Sequence, residues 1–370
     1  MIFNMYEHEL MKLCGICRYL PTGLLRKYDA PYLSRSVIVG LQKFGVIKTQ
    51  SDKGSYKLTT KGRDYLAEMG FEFSDDIRMD LKRPIYKRKL KNAFWNITLS
   101  LAGIDIYHSR TRELAEKDVG YVSSLVIRAD KCTKVLAGTK FLGILKIFNT
   151  AYIPYCVENE NTSIIPGYER EIYRSQAEAA KGIKEIRVIV TGETLEELWN
   201  HIHPDSQGEK LLWGMKRIGE ALEELGSEYL LVPYTCDGVM QLGFLKSYRN
   251  RERLAKALGC ETTPNPQLSD CDGILDKTPY IIAIDFNVNR IIRALKQIER
   301  IDKSIIPKIC CLPFQKSTMF KLLKLYGCQK SIVMTVNKND IYNVFPEFKK
   351  EPVENRPYVT EEGKYIDTNT

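Results

Sequence analysis

Asp272 and Asp285 are the groups best placed to do chemistry in this 370-residue chain. Asp272-Gly273 reads as a turn entering one strand, and Asp285-Phe286-Asn287 as the end of the next strand, just before a helix. Adjacent strand ends bring two carboxylates to one sheet edge, where oxygen ligands would hold Mg²⁺ or Mn²⁺. Such an ion would polarise a phosphodiester and activate a water. Asp272, Asp285 and Asn287 are therefore the candidate catalytic residues, with Asp272 and Asp285 as the metal ligands. An acid from an earlier helix would complete the centre. Glu171 is the first candidate, with Glu178, Glu220, Glu223 and Glu224 as others. The plain alternative is that Asp-Gly is an ordinary turn and Asp285 caps the next helix.

Two further motifs carry less. His201-Ile202-His203 has the histidine–apolar–histidine spacing of a metal motif, but that motif works on a strand, where i and i+2 point to one side. Here it ends a helix begun at Thr194 and is followed by Pro204. A helix-terminal pair favoured by the macrodipole is the expected reading. Cys14-Gly15-Ile16-Cys17 has zinc-like spacing, yet it lies in a helix and lacks the second pair that a four-ligand site needs. There is no Gly-Lys-Ser/Thr phosphate loop and no dinucleotide fingerprint, which removes ATP-driven and redox chemistry from the reading.

The elements at the N-terminus point to DNA. Ser34 is placed as an N-cap, and Val37, Ile38, Leu41 and Phe44 recur at helical spacing. Gly45 follows as the terminator. Strands around Val46–Thr49 and Ser55–Leu58 are joined by Asp52-Lys53-Gly54. Thr59 or Thr60 then caps a helix running to Met69. Upstream, Tyr6–Cys17 and Leu20–Tyr28 read as helices. Helix, helix, helix, hairpin, helix over residues 1–73 is the winged helix-turn-helix order. Ser34, Arg35, Ser36, Gln42 and Lys43 on the third helix, with Lys48, Lys53 and Lys57 on the hairpin, are the candidate contacts to bases and phosphates. A winged helix serving only protein contacts is the alternative. Charge favours DNA: residues 1–110 hold 19 Lys and Arg against 11 Asp and Glu, whereas the whole chain is +9. Residues 74–110 read as a basic linker helix. Lys82, Arg83, Lys87, Arg88, Lys89 and Lys91 on it could follow a phosphate backbone, or could be a solvated face.

Residues 111–348 alternate strand and helix, which implies a mixed α/β sheet covered by helices. Its main expected elements are strands at Leu142–Phe148, Ala151–Val157, Ile186–Val190, Tyr229–Tyr234, Tyr280–Asp285, Ile306–Leu312 and Ile332–Val336. Helices are expected at Leu195–Ile202, Leu211–Leu225, Met240–Leu258, Val288–Ile301 and Lys316–Leu325. No internal repeat is read from the sequence. Residues 349–370 are polar, aperiodic and expected to be a disordered tail. No apolar run reaches the ~18 residues of a membrane span. With no export signal, the ten cysteines are expected to be reduced and the protein cytoplasmic, without membrane insertion.

Acid at a turn, hairpin, acid-x-polar at a strand end, then helix and strand resembles the core of the restriction-endonuclease-like nucleases. That family's motif ends in lysine, where this chain has Asn287; Lys277 is the nearest substitute. More broadly, the chain resembles the replication-relaxation family and the nuclease-like mobilisation relaxases of plasmids and integrative conjugative elements. The resemblance is carried by Gly138–Gly143 leading into Tyr152–Tyr155, Val232-Pro233 with Asp237-Gly238, Pro264-Asn265-Pro266 and Asp285–Arg290. It implies an α+β chain, a winged helix followed by a restriction-endonuclease-like domain. The implied partner is double-stranded DNA at an origin or operator, beside other conjugation or replication proteins. Two functions are open. One is a metal-dependent relaxase or nickase. The other is a non-catalytic auxiliary or regulatory DNA-binding protein with a degenerate nuclease fold.

Overall fold

The structure is a computed structural model. It describes residues 3–50, 54–71, 84–107, 111–130, 140–158, 162–170, 182–204, 215–226, 228–261 and 268–348. The expected tail at 349–370 lies outside the described residues. Helices and strands are mixed throughout, in two compact units, Met1–Leu101 and Ala102–Lys349.

In the first unit, helix α1 (Met5–Cys17) opens with a reciprocal cap: Asn4 accepts from the Glu7 amide and Glu7 accepts from the Asn4 amide, both at 2.9 Å. Strand β1 (Leu20–Pro21) and a 3₁₀ turn (Thr22–Arg26) replace the helix expected over Leu20–Tyr28. The reason is local: Pro21 biases Leu20 towards extended backbone, and Gly23 weakens any helix there. After a second 3₁₀ turn come helix α2 (Arg35–Lys43), strands β2 (Ile47–Thr49) and β3 (Ser55–Leu58), and helix α3 (Thr60–Glu68). Thr59 caps α3 by accepting from the Gly62 amide. The sheet order is β1-β3-β2, antiparallel throughout.

Helix α4 (Pro84–Leu101) belongs to this unit and is not a separate linker. Its Trp95, Ile97 and Leu99 are fully buried. The Tyr28 hydroxyl donates to the Phe94 carbonyl at 2.8 Å, and the Asn96 amide reaches the Cys17 sulfur at 3.9 Å. Helix α4 therefore packs on α1 and β1.

The second unit begins with helix Thr111–Ala115 and strands β4 (Val119–Ser123), β5 (Gly143–Ile147) and β6 (Thr150–Cys156). Short strands β7 (Ser163–Ile164) and β9 (Lys216–Arg217) pair apart from the main sheet. Strand β8 (Glu185–Gly192), helix Leu195–Ile202, helix Ile218–Leu225 and strand β10 (Tyr229–Pro233) complete the first half. Of the helix expected over Leu211–Leu225, residues 211–214 lie outside the described residues, Lys216 and Arg217 form β9, and the helix runs from Ile218. Helices Cys236–Lys246 and Asn250–Ala257 follow. The single helix expected over Met240–Leu258 is broken there by Arg249, at φ +49°. Strands β11 (Gly273–Leu275), β12 (Thr278–Ile282), β13 (Lys308–Cys311) and β14 (Ile332–Thr335) alternate with helices Val288–Ile301 and Lys316–Leu325. Helix Lys338–Val344 follows.

The two halves repeat one plan. The first sheet is β10-β8-β6-β5-β4 and the second β11-β12-β13-β14. In each, a two-residue hairpin joins a reversed strand to a strand that is followed across the sheet by two further strands parallel to it. An antiparallel strand, β4, lies outside β5; a single antiparallel bridge, Glu261 to Ile274, holds the same place outside β11. Both reversed strands begin Gly-Ile-Leu, at Gly143 and Gly273, and both partners begin Thr-x-Tyr-Ile, at Thr150 and Thr278. Each glycine is required by close packing. A Cβ on Gly143 would lie 2.4 Å from the Val122 carbonyl oxygen, and one on Gly273 would lie 2.6 Å from the Cys260 Cβ. One apolar cluster runs through both halves, with Val188, Val190 and Leu231 from the first and Ile281, Ala283 and Ile309 from the second.

Candidate nucleic-acid interface and buried carboxylate cluster

Helix α2 is amphipathic over its nine residues. Ile38 and Leu41 are buried, while Arg35, Ser36, Val39 and Lys43 are exposed and Gln42 is half-buried. Ser34 holds the N-cap position in extended backbone, but its hydroxyl meets the Ser36 hydroxyl at 3.0 Å and makes no capping bond. Phe44, expected inside, is 38% exposed and meets Phe3 edge-on. The Gln42 amide donates to the Thr49 hydroxyl at 2.8 Å, tying α2 to β2.

On the hairpin, Lys48 stands directly opposite Lys57. Like charges facing each other across an antiparallel pair are destabilising by themselves. The pair lies on two neighbouring strands of the three-stranded sheet, beside the polar face of α2. Lys53, at the hairpin turn, lies outside the described residues.

On α4, Lys89 places its ammonium over the Tyr19 ring at 5.8 Å, and both Lys89 and Lys91 are half-buried. Lys89 is thus engaged within its own unit. The side chains of Lys87 and Arg88, like Lys82 and Arg83 as a whole, lie outside the described residues.

Asp272 and Asp285 do come together at the open end of the β11–β12 hairpin, through arginine. Asp272 accepts from the Ile282 amide at 2.6 Å and from Arg290 Nη1 at 3.0 Å. Asp285 is fully buried and paired with Arg251, while Arg290 Nη2 stands 4.0 Å from its other oxygen. Burial alone would raise the Asp285 carboxyl pKa, but the Arg251 and Arg290 guanidinium groups outweigh it and hold it below the ordinary carboxylate range. Asn287 caps helix Val288–Ile301 by accepting from the Arg290 amide at 3.1 Å, and its own amide donates to Glu228 at 3.0 Å. Glu228 also binds Arg187 and Arg293, and Arg293 reaches Asp270 at 3.2 Å. The network links both halves of the unit.

These residues do not fit a divalent cation. Each carboxylate already has a guanidinium, so a metal between them would face two fixed positive charges. Among the described residues, no group of three or more His, Cys, Asp or Glu is arranged to hold a metal. Lys277 cannot stand in for the motif lysine, because it occupies the closed end of the hairpin while both aspartates sit at the open end. Where the second hairpin has Asp272 before its glycine, the first has Leu142 before Gly143.

Glu171 and Glu178 lie outside the described residues. Glu220, Glu223 and Glu224 are exposed on helix Ile218–Leu225, with Glu224 bound to Lys216 at 2.6 Å. The buried acid of that region is Glu169, which accepts from the Lys140 amide at 3.0 Å and the Tyr155 hydroxyl at 2.9 Å.

His201 and His203 diverge at the end of their helix. His203 packs on the Trp199 ring and meets the Tyr229 hydroxyl at 3.3 Å. Cys14 and Cys17 are buried in α1, and burial pushes the Cys17 thiol up to about 12. No helix among the described residues is long and apolar enough to cross a membrane. Comparison with protein-family models, curated proteins and solved structures found no match.

Proposed function

We propose that this chain is a duplex-DNA-binding protein. The first unit acts as a winged helix and the second is a duplicated nuclease-like scaffold that does not cleave. The opposed Lys48–Lys57 pair beside the polar face of α2 carries the DNA reading. It sets two positive charges side by side on the hairpin, where a phosphate backbone can meet both. The order of α1, α2, the β2–β3 hairpin and α3, with β1 added to the sheet, supports the winged-helix assignment. The helix α2 would enter the major groove and the hairpin lysines would meet backbone phosphates.

One reversed strand followed in spatial order by three mutually parallel strands, in both halves, supports the nuclease-like assignment. Loss of function is supported by the arginines on both aspartates and by Asn287 serving as a helix cap. The resemblance then suggests an auxiliary or regulatory role in replication or transfer of a plasmid or integrative conjugative element, beside other proteins of that process.

A second reading, a metal-dependent nickase, is favoured by one observation: Asp272 and Asp285 converge at one sheet edge. It requires Arg251 and Arg290 to leave them. Supercoiled DNA carrying the element's own origin, incubated with the protein and Mg²⁺ or Mn²⁺, separates the two. The expected result is a salt-sensitive gel shift without nicking. Nicking that is lost in Asp285→Asn would establish the second reading.

A further inference from the structure

We propose that Val39 reads the 5-methyl group of a thymine in the major groove, and that Gln42 reads the neighbouring base pair through its carbonyl oxygen. The inference rests on duplex binding by α2.

Arg35, Val39, Gln42 and Lys43 are spaced by four, seven and eight residues from the first, so they form one stripe along the helix. Three of the four are polar. Val39, at the centre, is aliphatic, and it is 37% exposed although Ile38 beside it is buried. A lone exposed valine is ordinary on a protein surface. In the middle of a stripe facing the groove it has a natural partner, because the thymine methyl is the one apolar group on a major-groove base edge.

Gln42 supplies the independent observation. Its amide nitrogen gives one of its two hydrogens to the Thr49 hydroxyl at 2.8 Å, which anchors the amide, and the amide oxygen is the acceptor offered to the base. An acceptor selects an exocyclic amino group, N6 of adenine or N4 of cytosine. Three residues of helix rise by about 4.5 Å, a little more than the 3.4 Å step between stacked bases. Val39 and Gln42 therefore address neighbouring pairs. The same hydrogen bond couples α2 to β2, so the helix face and Lys48 are presented together.

The test is selection by the full-length protein from a duplex pool with a random central segment. Each thymine in the enriched sequences is then replaced by deoxyuridine, which deletes only the methyl group. Affinities are read for the wild type and for Val39→Ala, whose fold is checked by circular dichroism. Wild type is expected to lose about fourfold at one thymine, the value of one buried methyl-sized group. The Val39→Ala protein is expected to bind the two duplexes alike. Enriched sequences in which every replacement is neutral for the wild type, or in which Val39→Ala shows the same loss, would overturn the methyl reading and leave DNA binding intact. No enrichment and no salt-sensitive binding would overturn both.

Discussion

At the residue scale the two aspartates decide how the second unit is understood. Asp285 is buried against Arg251, with Arg290 at 4.0 Å, so removing its charge leaves the Arg251 guanidinium without its carboxylate while Arg290 keeps Asp272. Asp285→Ala is expected to destabilise the second unit by about 3–5 kcal/mol, the usual cost of breaking a buried ion pair from one side. Urea unfolding measures it, and a loss below about 1 kcal/mol would show that the cluster is not structural. The sign with pH follows from the depressed carboxyl. Its stabilisation is complete above the ordinary aspartate range and is lost as pH falls through the folded-state value. The sequence made Asp272, Asp285 and their meeting at one sheet edge legible, because turn and strand-end chemistry fix those positions. It hid the arginines. Arg251 comes from a helix 34 residues before Asp285, and only the tertiary fold brings it there. Asn287 showed as a departure from the lysine motif, but its role as a helix cap needed the structure.

At the element scale the strongly patterned segments were readable and the interrupted ones were not. The apolar spacing of Val288–Ile301 and Lys316–Leu325 and the Thr194 cap of Leu195–Ile202 gave those helices their observed ends. Leu20–Tyr28 failed as a helix because pairing with β3 captured Leu20 and Pro21. The repeat in the second unit stayed hidden because its shared words are spaced differently. Gly143 precedes Thr150 by seven residues and Gly273 precedes Thr278 by five, since the first reversed strand has five residues and the second three. Packing between α1 and α3 yields a prediction of its own. His8 on α1 is 1% exposed, its Nδ1 lies 3.3 Å from the Tyr65 hydroxyl, and its ring meets the Phe71 ring edge-on. Burial, helped by the Lys12 charge, depresses its pKa to about 3. The unfolded chain takes up a proton below the ordinary value near 6.5, so the first unit should lose stability as pH falls from there. The loss is about 2 kcal/mol by pH 5. Urea midpoints at pH 7 and pH 5 should converge in His8→Phe. Equal acid sensitivity in that variant would place the effect elsewhere.

At the scale of the whole molecule, charge and architecture divide the labour. The excess of positive charge lies in the first 110 residues, with α2 and the hairpin, while the second unit contains a largely buried arginine–carboxylate network. This fits a protein whose first unit meets a polyanion and whose second is a scaffold. Duplex binding is assigned to α2 and the β2–β3 hairpin. The most direct measurement is the affinity of the full chain for a labelled duplex between 50 and 200 mM salt, for the wild type and for Lys48→Ala/Lys57→Ala. Steep salt dependence is expected in the wild type, with a slope of log affinity against log salt shallower by about 1.8 in the variant, two phosphate contacts fewer. Binding that is absent at low salt, or a slope that the double variant leaves unchanged, would contradict that assignment.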